Sequence, residues 1–386
     1  MTSPLKLCVV TTHPIQYIAP WFRALAADPE IALEVIFFRE LNAQQQGVGF
    51  GQVFQWDVPL RQGYSSKVLD VQPGWRSVPA LLSRLRKVLM DGQPDAVLIT
   101  GWNEPGLLAA YPVVRLMGFP ILVRGESNAL RHRSRLTSVL HRSLLRLVSG
   151  VTVIGKANRQ FYLNNGVPSG RLFGGAYFVE SGRMLAMATA HIGERDLHRR
   201  QAGYEVNDFV FCFVGKHVPF KRPLLLVEAA GLMRAKGWPV KLHFAGSGEL
   251  TELIRQRAEA LQVPVHFTGF LNQTELWQAY VPADAFVLPS TNGETWGLVT
   301  NEAMLFGLPV IVSDQVGCAA DLVRQGETGY VFTGEAEGLA GAMESMLKNR
   351  AQMQSMGERA RQLVLDSYSM PVATQGLKAA LQAVCR

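Results

Sequence analysis

Pro289-Ser-Thr-Asn-Gly-Glu294-Thr-Trp-Gly297-Leu-Val-Thr-Asn-Glu302-Ala-Met-Leu-Phe306-Gly-Leu-Pro-Val310 is the stretch that decides the fold. It follows a short apolar run ending in Val287-Leu288, and Thr291 to Gly297 is rich in turn formers. Leu298, Ala303, Met304 and Phe306 then take up helical spacing. The stretch therefore predicts a strand, a loop and a helix. Free N–H groups at such a helix start, with the positive end of its dipole, suit an anion such as phosphate. Glu302, one turn into the helix, is placed to accept hydrogen bonds from sugar hydroxyls rather than to hold that phosphate. Glu294, on the loop eight positions earlier, is placed to do the same from the other side.

Working outward, other strand-to-turn transitions stand in order around it. Phe209 to Val214 runs into Gly215-Lys216-His217-Val218-Pro219-Phe220-Lys221-Arg222-Pro223, and Val240 to Ala245 into Gly246-Ser247-Gly248-Glu249. Val265-His266-Phe267-Thr268-Gly269-Phe270 follows, and Val310 to Asp321 and Gly329-Tyr330-Val331-Phe332 close the series. Each alone is unremarkable: two lysines on a loop are usually solvated, a Gly-x-Gly is an ordinary turn, and two spaced glutamates are usually one wet helix face. Their order and their placement after strand-like runs, where doubly wound sheets bind ligands, give them meaning.

As an ordered set these motifs resemble the family-4 retaining glycosyltransferases, the glycosyl transferases group 1, over roughly residues 205 to 335 and more weakly before that. The resemblance implies an α/β fold of two Rossmann-like doubly wound domains facing a cleft (GT-B). It implies sugar transfer with retention from a nucleotide diphosphate sugar to a glycan or polyprenyl-linked acceptor, in polysaccharide or glycoconjugate biosynthesis. Lys216, where the family usually has Arg, and Lys221 would neutralise the leaving diphosphate. Gly215 and Gly246 would let backbone approach the donor, and the backbone around His266 and Phe267 would meet the nucleobase. Gly297, Leu298, Val299 and Thr300 would offer N–H groups to phosphate, Glu302 would bind the ribose and Glu294 the sugar hydroxyls. No metal or other cofactor is expected, and no Asp-x-Asp cluster is present. Two rivals are a catalytically idle homologue acting as scaffold or partner, and a nucleotide-sugar epimerase or phosphorylase on the same architecture. A dinucleotide oxidoreductase is excluded because no G-x-G-x-x-G follows the first strand.

Length and composition agree. The 386 residues, 48% hydrophobic, suffice for two cores. Strand-like runs at Leu5 to Thr11, Ala32 to Phe38, Ala96 to Thr100, Pro120 to Val123 and Val151 to Ile154 alternate with helical segments at Ile18 to Ala27, Val78 to Met90, Asn103 to Met117 and Thr137 to Val148. The expected division is 1–180 as acceptor-binding domain, 181–205 as linker and 206–367 as nucleotide-sugar-binding domain. A tail, 368–386, is helical in composition and interrupted by Pro371, and the resemblance implies that it crosses back to the first domain. Cys8, Cys212, Cys318 and Cys385 have no metal-ligand or redox spacing. With neither a signal peptide pattern nor an apolar run of spanning length, the cytoplasm is the expected compartment.

Ser127 to Val179 holds no Asp or Glu but eight Arg and Lys, more than the chain's net charge of +7. At about 100° per residue, Arg131, Arg135, Arg142 and Arg146 fall within about 60° of one another, with Leu136, Leu140, Leu144 and Leu147 roughly opposite. The stripe is either a solvated face or an attraction to an anionic membrane surface or a phosphate-bearing acceptor. Nucleic acid is not expected, since aromatic interleaving is missing.

Two loops depart from the family pattern. After the first strand the chain has Thr11-Thr12-His13-Pro14-Ile15-Gln16 where many relatives have a glycine pair. His13 would orient an acceptor hydroxyl or contact phosphate, or else cap the loop, and Gln16 would face the acceptor. At Val123-Arg124-Gly125-Glu126, relatives often have a histidine. Arg124 would clamp a phosphate or carboxylate and Glu126 would bind acceptor hydroxyls, or the two would form an internal ion pair. Trp102, Asn103 and Glu104, after the strand Ala96 to Thr100, are further acceptor-side cleft-wall candidates by position.

Overall fold

The computed structural model describes residues 3–385 and divides into two compact units. Unit 1 holds the chain up to Asn42, Val58–Tyr177 and the segment from Met370 on; unit 2 holds Ala43–Asp57 and Phe178–Ser369.

Unit 1 is built on the strands β1 (Leu5–Thr11), β2 (Ile31–Phe37), β3 (Ser65–Val68), β4 (Ala96–Ile99), β5 (Ile121–Val123), β6 (Gly150–Val153) and β7 (Leu172–Gly174). They form one parallel sheet in the order β3-β2-β1-β4-β5-β6-β7. The middle strands are continuous apolar runs because helices cover both faces of a parallel sheet. Val9, Val10, Val97, Leu98, Ile99 and Leu122 are accordingly buried. Strand order reverses between β1 and β4, so the loops after these strands diverge and leave a crevice at their C-terminal ends.

Unit 2 repeats the plan with β8 (Phe209–Val214), β9 (Val240–Ala245), β10 (Val265–Gly269), β11 (Ala285–Leu288), β12 (Val310–Ser313) and β13 (Gly329–Phe332). The order is β10-β9-β8-β11-β12-β13, all parallel, with the reversal between β8 and β11. Phe209, Phe211 and Phe213 project from β8 into the apolar core that Leu226, Met233, Leu242 and Phe244 complete.

The two Rossmann-like units are those expected, and the structure differs from the sequence reading in four places. The tail forms an unbroken helix, Met370–Val384, because Pro371 stands in its first turn, where no N–H is needed. That helix lies so close to β7 that a Cβ on Gly376 would meet the Gly174 carbonyl oxygen at 1.3 Å, and Lys378 ties it to Asp28 at 3.0 Å. Residues 181–205 are not an open linker but two helices, Ser181–His191 and Arg195–Gln201. Their arginines are polar in sequence yet anchored: Arg199 is buried and donates to the carbonyls of Pro282 and Asp208 and to Asp284. Ala43–Asp57, expected with the first domain, packs as part of unit 2. Finally, the basic helix spans Arg135–Leu145, starting where the Ser134 hydroxyl accepts from the Thr137 N–H at 3.1 Å, so Arg131 lies before it.

Candidate functional site

The loops after β8, β9 and β11 interlock at the reversal point of unit 2. Gly215 (φ 145°) and Gly246 (φ 129°) touch so closely that a Cβ on Gly246 would sit 2.0 Å from the Gly215 carbonyl oxygen; both the space and the dihedral require glycine. His217 N donates to the Ser247 carbonyl at 2.9 Å, and the Phe220 carbonyl accepts from Thr291 N at 2.8 Å, so the lysine loop is stitched to both neighbours.

This framework sets the ionic groups. Lys221 donates to Glu294 in an ion pair whose side chains are mostly buried, and Ser290 Oγ stands 3.5 Å from the same carboxylate oxygen. Lys216 Nζ donates to the Val48 carbonyl at 2.6 Å and lies 4.7 Å over the Phe50 ring. Burial, and secondarily the charge on Lys221, lowers the Lys216 pKa from its ordinary value. Two cations are thus held together with one carboxylate between the ends of β8 and β11.

Gly297 (φ 94°) opens the helix Leu298–Leu305, and a Cβ there would strike Leu288 at 2.5 Å. The Thr300 N–H already bonds to the Gly297 carbonyl at 2.9 Å, so Leu298 and Val299 carry the helix's leading N–H groups and Thr300 is not a phosphate donor. Glu302 is 1% exposed and accepts from the Tyr280 hydroxyl at 2.7 Å. His266 and Phe267 lie inside β10, short of its end, with rings stacked on His243 and Phe244 at 5.2 and 5.6 Å between centroids. It is Gly269 that reaches the site, its carbonyl accepting from Gly246 N at 2.7 Å.

Sequence reasoning missed three contributors. The first is Tyr280, which belongs to none of the motifs. His217 is fully buried with Nδ1 2.8 Å from Thr251 Oγ1, and burial drives its pKa down to about 4, so it is a neutral brace between the two lysines. The third is Ala43–Asp57, which lies over the ends of β8, β9 and β10. Ser247 Oγ donates to the Phe50 carbonyl at 2.5 Å, Asn272 Nδ2 to the Gln55 carbonyl at 2.7 Å, and Phe50 and Phe54 pack on Phe270 at 5.0 and 4.2 Å. The only signal in sequence is the aromatic spacing Phe50, Phe54, Trp56.

In unit 1, His13 follows β1 with Nδ1 2.9 Å from Thr12 Oγ1, and burial, then the nearby Arg39, lowers its pKa. Arg39 holds Glu104 through two bonds of 2.7 and 2.8 Å. Glu104 is the cleft-wall candidate offered by position after the strand, whereas nothing in the sequence marked Arg39. Asn103 is exposed beside them and Gln16 is half-buried. Trp102 packs 5.5 Å from His141 and 6.0 Å from Phe161 and serves the core on one side. Arg124, offered as an anion clamp, is instead buried, donates to the carbonyls of Gly175 and Ala176 at 2.7 Å each, and lies 4.9 Å over Trp21. Burial brings its pKa down to about 10. It is a scaffold residue, while Glu126 is exposed and takes a bond from Tyr177.

Residues 194–363 match the model of the family described as glycosyl transferases group 1. The match takes in less than half of the chain, which over that stretch is similar to the family. A D-inositol 3-phosphate glycosyltransferase of Rhodococcus erythropolis is 34% identical over 165 residues, 40% of this chain and 37% of the relative. A phosphatidyl-myo-inositol mannosyltransferase of Mycobacterium leprae is 26% identical over 70% of this chain and 69% of its own. The first match thus spans little more than a third of the relative's length. Among solved structures, Anabaena Alr3699/HepE in complex with UDP and glucose superposes with a TM-score of 0.73 at 18% identity, covering 98% of this chain and 100% of that one. The fold is therefore that of the GT-B glycosyltransferases, and the interlocked loops of unit 2 fall inside the family match.

Proposed function

We propose that the protein is a retaining glycosyltransferase that moves a sugar from a nucleotide diphosphate donor, held by unit 2, to a glycan or lipid-linked acceptor held by unit 1. One observation carries the reading: Lys216, Lys221, Glu294 and the Gly297 helix start converge where the strand order of unit 2 reverses. A diphosphate there meets two ammonium groups and the leading N–H groups of Leu298 and Val299, enough fixed positive charge to stabilise the departing nucleotide without a metal. Glu302 would accept from the ribose hydroxyls, and Glu294, held by Lys221, from those of the donor sugar. In this scheme the leaving phosphate oxygen takes the acceptor proton, so no protein nucleophile is required. UDP is the first nucleotide to try, since it occupies the HepE structure.

On the acceptor side, His13, the Arg39–Glu104 pair, Asn103 and Gln16 form the polar rim at the strand ends of unit 1. The helix Arg135–Leu145 supports a membrane-surface acceptor: Leu136, Val139 and Leu140 are 71%, 55% and 61% exposed. Arg135 and Arg142 flank them and Arg131 and Arg146 stand at either end, a composition suited to lying in an anionic interface. Among the described residues no helix is long and apolar enough to cross a membrane.

Calorimetric titration with UDP, GDP and ADP tests the donor site. Binding of one nucleotide, weakened at least tenfold in both Lys216→Ala and Glu302→Ala, is the expected result. No binding to any of them by the folded protein would turn the reading toward a partner protein without transfer activity. Sedimentation with anionic and neutral liposomes tests the membrane surface; equal partitioning to both, or none to either, refutes it.

A further inference from the structure

We infer that His191, Glu194 and His198 form a binding site for a divalent transition-metal ion of the zinc class, separate from the donor site. The three residues sit where the helix Ser181–His191 breaks, passes through the single turn Ile192–Glu194, and resumes as Arg195–Gln201. One ligand atom from each lies within 4.8 Å of the other two. Glu194 Oε2 is 3.8 Å from His191 Nδ1 and 3.4 Å from His198 Nε2.

The two nitrogens point to a ligand. Both His191 Nδ1 and His198 Nε2 are shut off from solvent, and neither has a hydrogen-bond partner. A buried imidazole nitrogen ordinarily finds one. Here two of them face a single carboxylate oxygen, which is the donor set zinc takes from histidine and glutamate. Tetrahedral coordination with bonds of about 2.0–2.1 Å puts ligand atoms about 3.3 Å apart. The observed spacings need only side-chain adjustment to reach that. Two imidazoles with a carboxylate favour Zn²⁺, Co²⁺, Ni²⁺ or Cu²⁺ over Mg²⁺ or Ca²⁺, which prefer oxygen.

The surroundings hold the ligands in place. His191 stacks on Trp277 at 4.0 Å and 13°, and His198 lies 4.5 Å from the same indole. His198 Nδ1 stands 3.4 Å from Gln201 Oε1, a contact in which Nδ1 carries the proton and Nε2 keeps its lone pair for the metal. The helices themselves are fixed: Arg183 donates to the Gln273 carbonyl at 2.6 Å, and Arg195 to Asp284 at 2.7 Å. Ligands on anchored helices are positioned before the ion arrives. Three protein ligands leave a fourth position for water, and the ion would staple the two helices across their break. It would take no part in sugar transfer, so the expectation of a metal-independent reaction is untouched.

The test is calorimetry of chelator-stripped full-length protein with ZnCl2 and, separately, MgCl2, together with the visible absorption of the Co²⁺ form. Wild type should take up one Zn²⁺ at micromolar or lower Kd, ignore Mg²⁺, give the intense tetrahedral Co²⁺ bands and gain thermal stability with Zn²⁺. His191→Gln and Glu194→Gln change partly exposed side chains and should each weaken Zn²⁺ at least tenfold while leaving nucleotide binding unchanged; His198→Gln should do the same. Absence of stoichiometric uptake by wild type, or equal uptake by His191→Gln and Glu194→Gln, overturns the assignment.

Discussion

Replacing Tyr280 by Phe removes a single oxygen, the one that donates at 2.7 Å to Glu302 Oε2, and leaves the ring packed on Phe306 at 5.0 Å. Glu302 is 1% exposed, so water cannot make good the lost donor without opening the core. Taking one partner away from a buried polar group costs about 1–3 kcal/mol. In a unit of about 200 residues, each kcal/mol moves Tm by about 2–4 °C, so the unit 2 transition should fall by about 2–12 °C. If Glu302 binds the ribose, its misorientation should also weaken the nucleotide about tenfold, corresponding to about 1.4 kcal/mol. Scanning calorimetry and nucleotide titration of Tyr280→Phe beside Glu302→Ala measure both. Wild-type Tm and Kd in Tyr280→Phe would refute the idea that this hydroxyl orients the buried carboxylate.

Gly246→Ala should reduce soluble yield and abolish nucleotide binding, because its Cβ would overlap the Gly215 carbonyl; a folded variant with unchanged Kd would contradict this. Burial holds His217 down to about 4 and His243 down to about 3, so both are neutral in the native state while the unfolded chain protonates them near 6.5. Their stabilising share is complete above that value and is lost as pH falls from about 6.5 toward 4, with a limiting slope of about 1.36 kcal/mol per pH unit for each histidine. Denaturation midpoints across this window should drop steeply and less so in His217→Gln. Phe270→Ala removes the ring shared by Phe50 and Phe54, and limited proteolysis should then cut within 43–57 well before wild type is cleaved.

The unit 2 site was largely readable because each part of it is local: an apolar run, then a glycine that the turn demands, then a lysine or glutamate. Gly215, Gly246 and Gly297 all have the dihedrals such turns need. What escaped depends on partners distant in sequence. Arg195 and Arg199 look like solvated bridge residues until Asp284 and the carbonyls beside it are placed against them. Leu136 and Leu140 have the period of a buried stripe, and nothing local says that no element covers them. Arg124 reads as a free anion clamp because the carbonyls that consume it, Gly175 and Ala176, lie about fifty residues on. Ala43–Asp57 has no strong period at all, and its partners are Lys216, Ser247 and Phe270.

That last segment bears on how such a protein can be taken apart. A polypeptide running from Phe178 to Ser369 would carry the whole second sheet, both lysines and both glutamates. It would nonetheless lack Ala43–Asp57, stripping Lys216 of its carbonyl partner and baring Phe270. A swap that grafts this half onto a foreign acceptor-binding half would import a mismatched strap in the same place. Exchange of donor preference between relatives should therefore succeed when the residues equivalent to 43–57 travel with the second half, and falter when the cut is made at a single point in the chain.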